Sequence, residues 1–216
     1  MLKTLVLGFL AGLMISIGGS VYLSCSVNYV GALLFSVALY VICLFGFALY
    51  TGKIGFVVVD HSRSNIISIL LSLVGNFIGC VAFGLLINIA IPKIAQSSQI
   101  ICDLKLNQNI LSALIRAFFC GVLMYIAVWV YREKKSVLGI FICIPVFILS
   151  GFEHSIADMF YFAVAGMFSL RALLYLLLIV LGNALGGVFI PLMLKLADVK
   201  CKKANKNLVE EDNANN

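Results

Sequence analysis

The amino-acid sequence predicts an all-α integral membrane protein whose six transmembrane helices form two inverted three-helix repeats, with helices 2 and 5 broken. Of its 216 residues, 63% are hydrophobic and only 11% are charged. Soluble domains have about 45–50% apolar and about 25% charged residues. Apolar segments recur along the whole chain, and a Gly-Asn motif occurs in each half. A single membrane domain is therefore expected.

Six apolar segments reach about 20 residues, the length that crosses a bilayer. They cover about residues 4–25, 29–59, 66–91, 110–131, 137–167 and 170–196. We therefore expect a transmembrane domain over residues 1–199, with repeats at about 1–91 and 110–196. Residues 200–216 have lost the apolar content, which predicts a disordered cytoplasmic tail.

The basic residues predict the orientation of the chain. With the N-terminus inside, only Lys93, Lys105 and Arg171 fall in outer loops, while the lysines between Lys195 and Lys206 follow the last span on the inner side. The chain is therefore predicted to lie in the plasma membrane with both termini in the cytoplasm. Five of the fifteen basic residues behind the net charge of +6 lie in this terminal cluster, which is typical of lipid contact, so no nucleic-acid partner is expected.

Two predicted spans are too long and are interrupted by glycine and polar residues. The second is interrupted by YTGKIG, residues 50–55, and the fifth by SGFEHS, residues 150–155. Non-helical backbone at membrane depth is tolerated only where protein or an aqueous cavity satisfies its polar groups. Helices 2 and 5 are therefore predicted to be broken next to a cavity.

A repeated motif supports the same arrangement. LVGNFIGCVAFGLL in the third span and VLGNALGGVFIPLM in the sixth share a GN-x-x-G core, and each follows a broken span. Three spans per unit place the two copies in opposite orientations, with the site where the broken helices meet. Asn76 and Asn183 are predicted to support this site, while the motif glycines fit close packing between helices.

The fifth-span break carries the main candidate, His154, because an ionisable group at membrane depth suggests a functional site. Its imidazole is predicted to donate a hydrogen bond or a proton near neutral pH. The alternative is a neutral ring bonded to backbone freed by the break. Glu153 is predicted to be structural and to bond N–H groups near the break. Asp158 follows His154 by four residues and shares its face if a helix resumes there.

The second-span break offers Thr51, whose hydroxyl is predicted to lie opposite the histidine. A half-helix restarting after Gly52 would point N–H groups at the midplane, where they favour anions. Lys53 either strengthens this field or reaches the interface as a lipid-facing anchor.

Enzymatic and metal-dependent functions find no support. No HExxH, GxSxG or P-loop sequence occurs, and the two histidines, His61 and His154, are poor material for a metal site. The chain is therefore predicted to be no enzyme and to need no metal or cofactor.

Four segments resemble the formate/nitrite transporter family. They are GFEHSIADMF, which is similar to the family's FEHS-containing fifth-helix break, LAGLMISIGG in the first span, IRAFFCGVLMYIAVWV in the fourth, and the GN-x-x-G helices. The resemblance implies a homopentamer of aquaporin-like protomers in the lipid bilayer. Each protomer would hold its own pore for small monovalent anions such as formate, nitrite or hydrosulfide.

The resemblance also implies site residues: His154 matches the family's central histidine and Thr51 its threonine. Apolar constrictions fall on Phe35, Leu39, Leu49 and Phe147, with Tyr50 where a phenylalanine is common. A bare anion is costly in such a path, whereas its neutral conjugate acid is not. We therefore expect proton-linked passage of weak acids and poor passage of chloride.

Three departures from the family leave selectivity open. Gly121 stands where many relatives have a pore-facing asparagine, Asp158 where asparagine is usual, and Lys53 is unusual in its break. Two other functions remain as alternatives: a non-conducting scaffold or sensor that binds an anion, and a channel for neutral solutes.

Overall fold

A computed structural model describes the backbone of residues 1–214 and the side chains of residues 1–197, and this part of the chain is all helical. The helices are α1 (Leu2–Ser24), α2 (Asn28–Phe45), α3 (Tyr50–Lys53), α4 (Arg63–Ala90), α5 (Pro92–Leu106), α6 (Ile110–Lys134), α7 (Leu138–Leu149), α8 (Ser155–Val164) and α9 (Leu170–Ala214). A 3₁₀ segment, Ile54–Val58, continues α3.

Five of these helices are long and apolar enough to cross a membrane: α1, α2, α4, α6 and the part of α9 over Leu170–Ala197. The sequence predicted six spans. The difference is the fifth predicted span, residues 137–167, which forms the two short apolar helices α7 and α8. With 12 residues, α7 is about 18 Å long at 1.5 Å per residue, too short for a bilayer core of about 30 Å.

The backbone of α9 is helical as far as Ala214. The sequence predicted a disordered tail over residues 200–216. Side chains from residue 198 onward lie outside the described residues, so the division into a domain and a tail stays a prediction.

Helices α1 and α4 pack closely, as do α6 and α9, because glycines line both contacts. A Cβ at Gly12 in α1 would lie 3.0 Å from the Cα of Gly79 in α4. A Cβ at Gly186 in α9 would fall on the carbonyl oxygen of Phe118 in α6. Small residues let helix backbones approach in this way, and larger ones would separate them.

Two glycines with positive φ end the helices that precede α3 and α8. Gly46 follows α2 with a φ of 67°, and Gly151 lies just beyond α7 with a φ of 68°. Glycine adopts this left-handed conformation without steric penalty and is therefore common at helix ends. The short connections that follow run through the protein interior and restart as helix at Tyr50 and Ser155.

Helix α5 was not predicted, because residues 91–110 were interpreted as an outer loop. It begins with Pro92 in its first turn, a position that tolerates proline. Its buried face includes Ile94, Ser98 and Cys102, which are four residues apart. Ser98 Oγ donates a hydrogen bond of 2.8 Å to the carbonyl of Tyr161 in α8. This contact holds α5 against the region that carries His154.

Candidate functional site

The two predicted site residues Thr51 and His154 meet in the protein interior. Thr51 belongs to α3, and His154 directly precedes α8. Thr51 Oγ1 lies 2.9 Å from His154 Nε2, although the residues are 103 positions apart in sequence. Their exposed fractions are 1% and 2%. The chain thus brings together one side chain from each of the two interrupted regions.

The hydrogen bonds of His154 indicate which nitrogen carries the ring proton. Nδ1 accepts a hydrogen bond of 3.1 Å from the backbone N–H of Ala157, so His154 is the N-cap of α8. An accepting Nδ1 has no proton, so the neutral ring is protonated at Nε2. Nε2–H then donates to Thr51 Oγ1. A second ring proton would break the cap and would lie at the positive end of α8.

Asn76 of α4 holds the start of α3 in place. Its Oδ1 accepts from the backbone N–H of Tyr50 at 2.9 Å. Its Nδ2 donates to the carbonyls of Ala48 at 2.8 Å and Gly8 at 2.9 Å. The asparagine therefore satisfies backbone groups that a continuous helix would have paired internally.

Asn183 of α9 does the same at the start of α8. Its Oδ1 accepts from the backbone N–H of Ser155 at 2.8 Å. Its Nδ2 donates to the carbonyls of Glu153 and Ala117, both at 2.8 Å. Both asparagines are fully buried.

These contacts change the expectation for the helix ends. The helix restarts at Tyr50 rather than after Gly52. The N–H groups of Tyr50, Ser155 and Ala157 are already bonded to side chains. They cannot also bind an anion, so the free helix ends that we expected to face the midplane are largely engaged within the protein.

A cavity of about 400 Å³ lies beside His154, and we call it the His154 cavity. Phe35 and Phe147 line it and pack edge to face, with ring centroids 6.4 Å apart. The Phe147 ring also stacks on the His154 ring, with centroids 5.6 Å apart. Next to the histidine the wall is therefore aromatic.

Four charged side chains also line the His154 cavity: Lys105, Arg116, Glu153 and Asp158. Lys105 pairs with Glu153 and with Asp158, and its Nζ lies 2.9 Å from Asp158 Oδ1. Arg116 donates to the carbonyl of Gly151 at 3.4 Å. The formal charges of this cavity therefore balance if both carboxylates are ionised.

Glu153 is bonded differently from our expectation. Instead of backbone N–H groups, it contacts Lys105 and the Gln108 side chain, whose Nε2 donates to Glu153 Oε1 at 2.7 Å. The reason is that α5 lies over this region. Lys105 belongs to α5, outside the spans. Burial alone would lower the pKa of its ammonium group, but Asp158 and Glu153 raise that pKa above its ordinary value.

A second cavity of about 360 Å³ lies near the other restart, and we call it the Lys53 cavity. Leu39, Leu49 and Gly52 line it together with Lys53 and Arg132. Among the described residues, no carboxylate lines this cavity, and neither cation forms an ion pair. This cavity therefore has an excess of positive charge.

Two residues take positions that differ from their expected roles. Tyr50 is buried, but it lines neither cavity, and its hydroxyl donates to the Val180 carbonyl at 3.4 Å. Gly121 packs against α9, where a Cβ would fall on the Asn183 carbonyl oxygen and lie 2.8 Å from the Gly187 nitrogen. Gly121 therefore faces a helix contact and not a cavity.

Sequence reasoning missed the roles of Lys105, Gln108 and Arg116. Lys105 was counted only as a loop cation, and its pairing joins residues 48 positions apart. The spacing of Ile94, Ser98 and Cys102 was the available signal, since it gives α5 one buried face.

Comparison with known proteins places this chain in a family. A family model described as formate/nitrite transporter matches residues 1–197. YrhG of Bacillus subtilis strain 168, described as an uncharacterized transporter, is 26% identical over 94% of this chain and 88% of YrhG. The formate channel FocA of Escherichia coli K12 is 26% identical over 74% of this chain. That match spans 65% of FocA, just under two thirds of its length.

Solved structures show the same fold. A pentameric formate channel with formate bound has a TM-score of 0.73 at 22% identity, over 91% of this chain and 97% of that chain. A channel described as an FNT family ion channel has a TM-score of 0.72 at 26% identity, over 88% of this chain and 85% of that chain. These relatives are channels and transporters, which agrees with the prediction that the chain is not an enzyme. The family match, together with the apolar helices, shows that the chain is a multi-pass membrane protein that belongs to the formate/nitrite transporter family.

Proposed function

We propose that the chain is a membrane channel or transporter for small monovalent weak-acid anions of the formate, nitrite or hydrosulfide class. The hydrogen bond between Thr51 and His154 carries this proposal. His154 lines one cavity, and Gly52 and Lys53, next to Thr51, line the other. A polar pair between two cavities in an apolar protein is a suitable point for a small solute to cross.

We propose six spans in two inverted repeats, with α2 and α3 forming one broken span and α7 and α8 another. The matching hydrogen bonds of Asn76 and Asn183 support this arrangement. Each asparagine accepts from the first N–H after a break and donates to the carbonyl two residues before it. In an inverted repeat, such equivalent positions lie on opposite sides of the central site.

In this proposal the path is apolar on both sides of the polar pair. Phe35 and Phe147 constrict it on one side of His154, and Leu39 and Leu49 on the other. An ion entering such surroundings loses its hydration, whereas a neutral acid loses little. The substrate therefore crosses as the neutral acid, with the proton moving in the same direction. His154 Nε2–H and the Thr51 hydroxyl offer hydrogen bonds to its oxygens or sulfur.

We further propose a plasma-membrane protein with both termini in the cytoplasm, so that the Lys53 cavity opens inward and the His154 cavity outward. The bias of Lys and Arg toward the inner segments supports this orientation. The two cations of the Lys53 cavity would gather anions from the cytoplasmic side. A homopentamer in the lipid bilayer is proposed because a structure of the same fold is a pentameric formate channel.

The test is flux into proteoliposomes, followed by stopped-flow light scattering with formate, nitrite, hydrosulfide or chloride at two pH values. Wild type is compared with His154→Ala. We expect fast, pH-dependent uptake of the weak-acid anions, slow uptake of chloride, and a lower rate without His154. Correctly assembled protein with no flux above empty liposomes would favour an anion-binding scaffold or sensor. Flux that ignores both pH and anion identity would favour a channel for neutral solutes.

A further inference from the structure

Asp158 is buried in the wall of the His154 cavity with one carboxylate oxygen unpaired. Its exposed fraction is 1%. Oδ1 lies 2.9 Å from Lys105 Nζ, whereas Oδ2 has no hydrogen-bond partner among the described residues. An ionised carboxylate usually accepts several hydrogen bonds when buried, because desolvation otherwise disfavours the charge. A proton on this carboxyl group would reduce that penalty.

The local charges favour the same conclusion. Glu153 contacts the same ammonium group of Lys105, so two carboxylates share one cation. Arg116 bonds the Gly151 carbonyl instead of either carboxylate. With both carboxylates ionised, this three-residue cluster would have a net charge of −1, and the exposed Arg116 that balances it within the cavity contacts neither carboxylate. Two carboxyl groups at one site avoid such a charge by sharing a proton.

The other groups facing Asp158 do not supply a second positive charge. The titratable side chains around it are Cys102 of α5, Cys120 of α6, Tyr161 of α8 and Tyr175 of α9. Thiols and phenols are uncharged in their protonated forms. His154, one turn earlier in sequence, uses Nδ1 as an acceptor and is therefore neutral. Lys105 remains the one cation bonded to the two carboxylates in the described part of the chain.

We infer that Glu153 and Asp158 hold one shared proton beside Lys105, and that this carboxylic acid protonates weak-acid anions entering the His154 cavity. This inference rests on the proposed function and names the proton donor for it. His154 is not suited to hold this proton, because a second ring proton would sit on Nδ1 and break the hydrogen bond that caps α8.

The proton moves from the carboxylic acid of this cluster to the entering anion. The O–H bond of the carboxyl group breaks, and the anion takes the proton to form its neutral acid. Asp158 and Glu153 are then both carboxylates, and Lys105 stabilises them until a proton from the outer solution, delivered as hydronium through cavity water, restores the acid. The neutral acid moves on past Phe35 and Phe147 to the Thr51–His154 pair.

Infrared difference spectroscopy of the purified full-length protein during a pH titration tests the shared proton directly. Wild type should show the carbonyl band of a protonated carboxylic acid at pH values where exposed carboxyl groups are already ionised. Asp158→Asn and Glu153→Gln should each remove this band, because either leaves one carboxylate paired with Lys105. Asp60→Asn, at an exposed loop carboxylate, is the matched control and should keep it. Absence of the band in wild type, or its survival in both variants, would overturn the inference.

Flux tests the donor role. Formate uptake by proteoliposomes is measured with the same pH on both sides, for wild type and Asp158→Asn. At pH values where the infrared band shows a protonated cluster, formate uptake by wild type should be several-fold faster than uptake by Asp158→Asn. At higher pH, where the band has disappeared, the two rates should become equal. Superimposable pH profiles would overturn the donor role. Absence of transport in both proteins would reject the donor step together with the proposed function. The infrared band alone would then test whether Glu153 and Asp158 share a proton.

Discussion

Asn76 and Asn183 form the same three hydrogen bonds, each at the helix restart in its own half of the chain. Tyr50 in one half corresponds to Ser155 in the other, Ala48 to Glu153, and Gly8 in α1 to Ala117 in α6. The glycines beside each asparagine let α4 approach α1 and let α9 approach α6. The GN-x-x-G motif thus combines close helix packing with a side chain that reaches the non-helical backbone.

Replacing either asparagine by leucine should strongly destabilise the protein. Each substitution leaves the N–H after the break and the carbonyl before it without a partner, and each unsatisfied group costs about 1–3 kcal/mol. The carbonyls of Gly8 and Ala117 lie inside α1 and α6 and keep their intrahelical partners. Thermal unfolding in detergent should show a large fall for both Asn76→Leu and Asn183→Leu. Asn88→Leu is the control and should cause a smaller fall, because the Asn88 side chain makes one hydrogen bond, to the Val164 carbonyl. Equal losses in all three variants would contradict the special role of the two buried asparagines.

Substitutions of His154 should separate its structural role from its role in transport. Asparagine is a good N-cap and can accept from the Ala157 N–H, whereas alanine cannot. His154→Ala should therefore be less stable than His154→Asn by about 1 kcal/mol. Both variants lose the hydrogen bond from Nε2 to Thr51, so both should transport formate slowly. Thermal unfolding and formate flux, measured on the same preparations, check this. Wild-type flux in His154→Asn would mean that the ring contributes only the cap.

The sequence predicted those parts of the site that local patterns encode. His154 and Thr51 stand out because polar residues at membrane depth are rare. Their close approach is what the predicted pair of breaks in an inverted repeat leads one to expect. The partners of Glu153 were not predictable in this way. Lys105 reaches the site through α5, a helix within a predicted loop. The spacing of the buried residues of α5 signals the helix, but no local pattern indicates that Lys105 pairs with Glu153.

Positions at helix contacts were equally hard to assign. Gly121 was compared with a pore-facing asparagine, but its face against α9 depends on how the helix is rotated. Tyr50 was placed in a constriction because it stands where a phenylalanine is common in the family, yet its hydroxyl donates to the Val180 carbonyl. The fifth predicted span forms α7 and α8, and each of these helices is too short to cross a bilayer core by itself.

The two cations of the Lys53 cavity should increase anion entry from that side. With no carboxylate lining this cavity among the described residues, Lys53 and Arg132 create a positive potential that attracts anions. Lys53→Met and Arg132→Met should each lower formate flux several-fold at low formate concentration and low salt. High salt should reduce the difference, because it screens the charges.

Lys53→Arg is the matched control for this prediction, because it keeps the charge and should retain most of the flux. Lys3→Met, at an exposed terminal lysine, should have no effect. Rates that stay at the wild-type level in Lys53→Met and Arg132→Met at low salt would show that the charges of this cavity do not attract the substrate.

Placing an asparagine at position 121 should damage packing and should not restore a pore-lining group. Any side chain there meets the α9 backbone at Asn183 and Gly187, so Gly121→Asn and Gly121→Ala should both separate α6 from α9. Overpacking of this kind costs about 1–3 kcal/mol. Thermal unfolding in detergent should show the loss for both variants, while Ile115→Ala, at an exposed position of the same helix, should change little. A Gly121→Asn protein with wild-type stability and altered anion preference would instead place this residue on the substrate path.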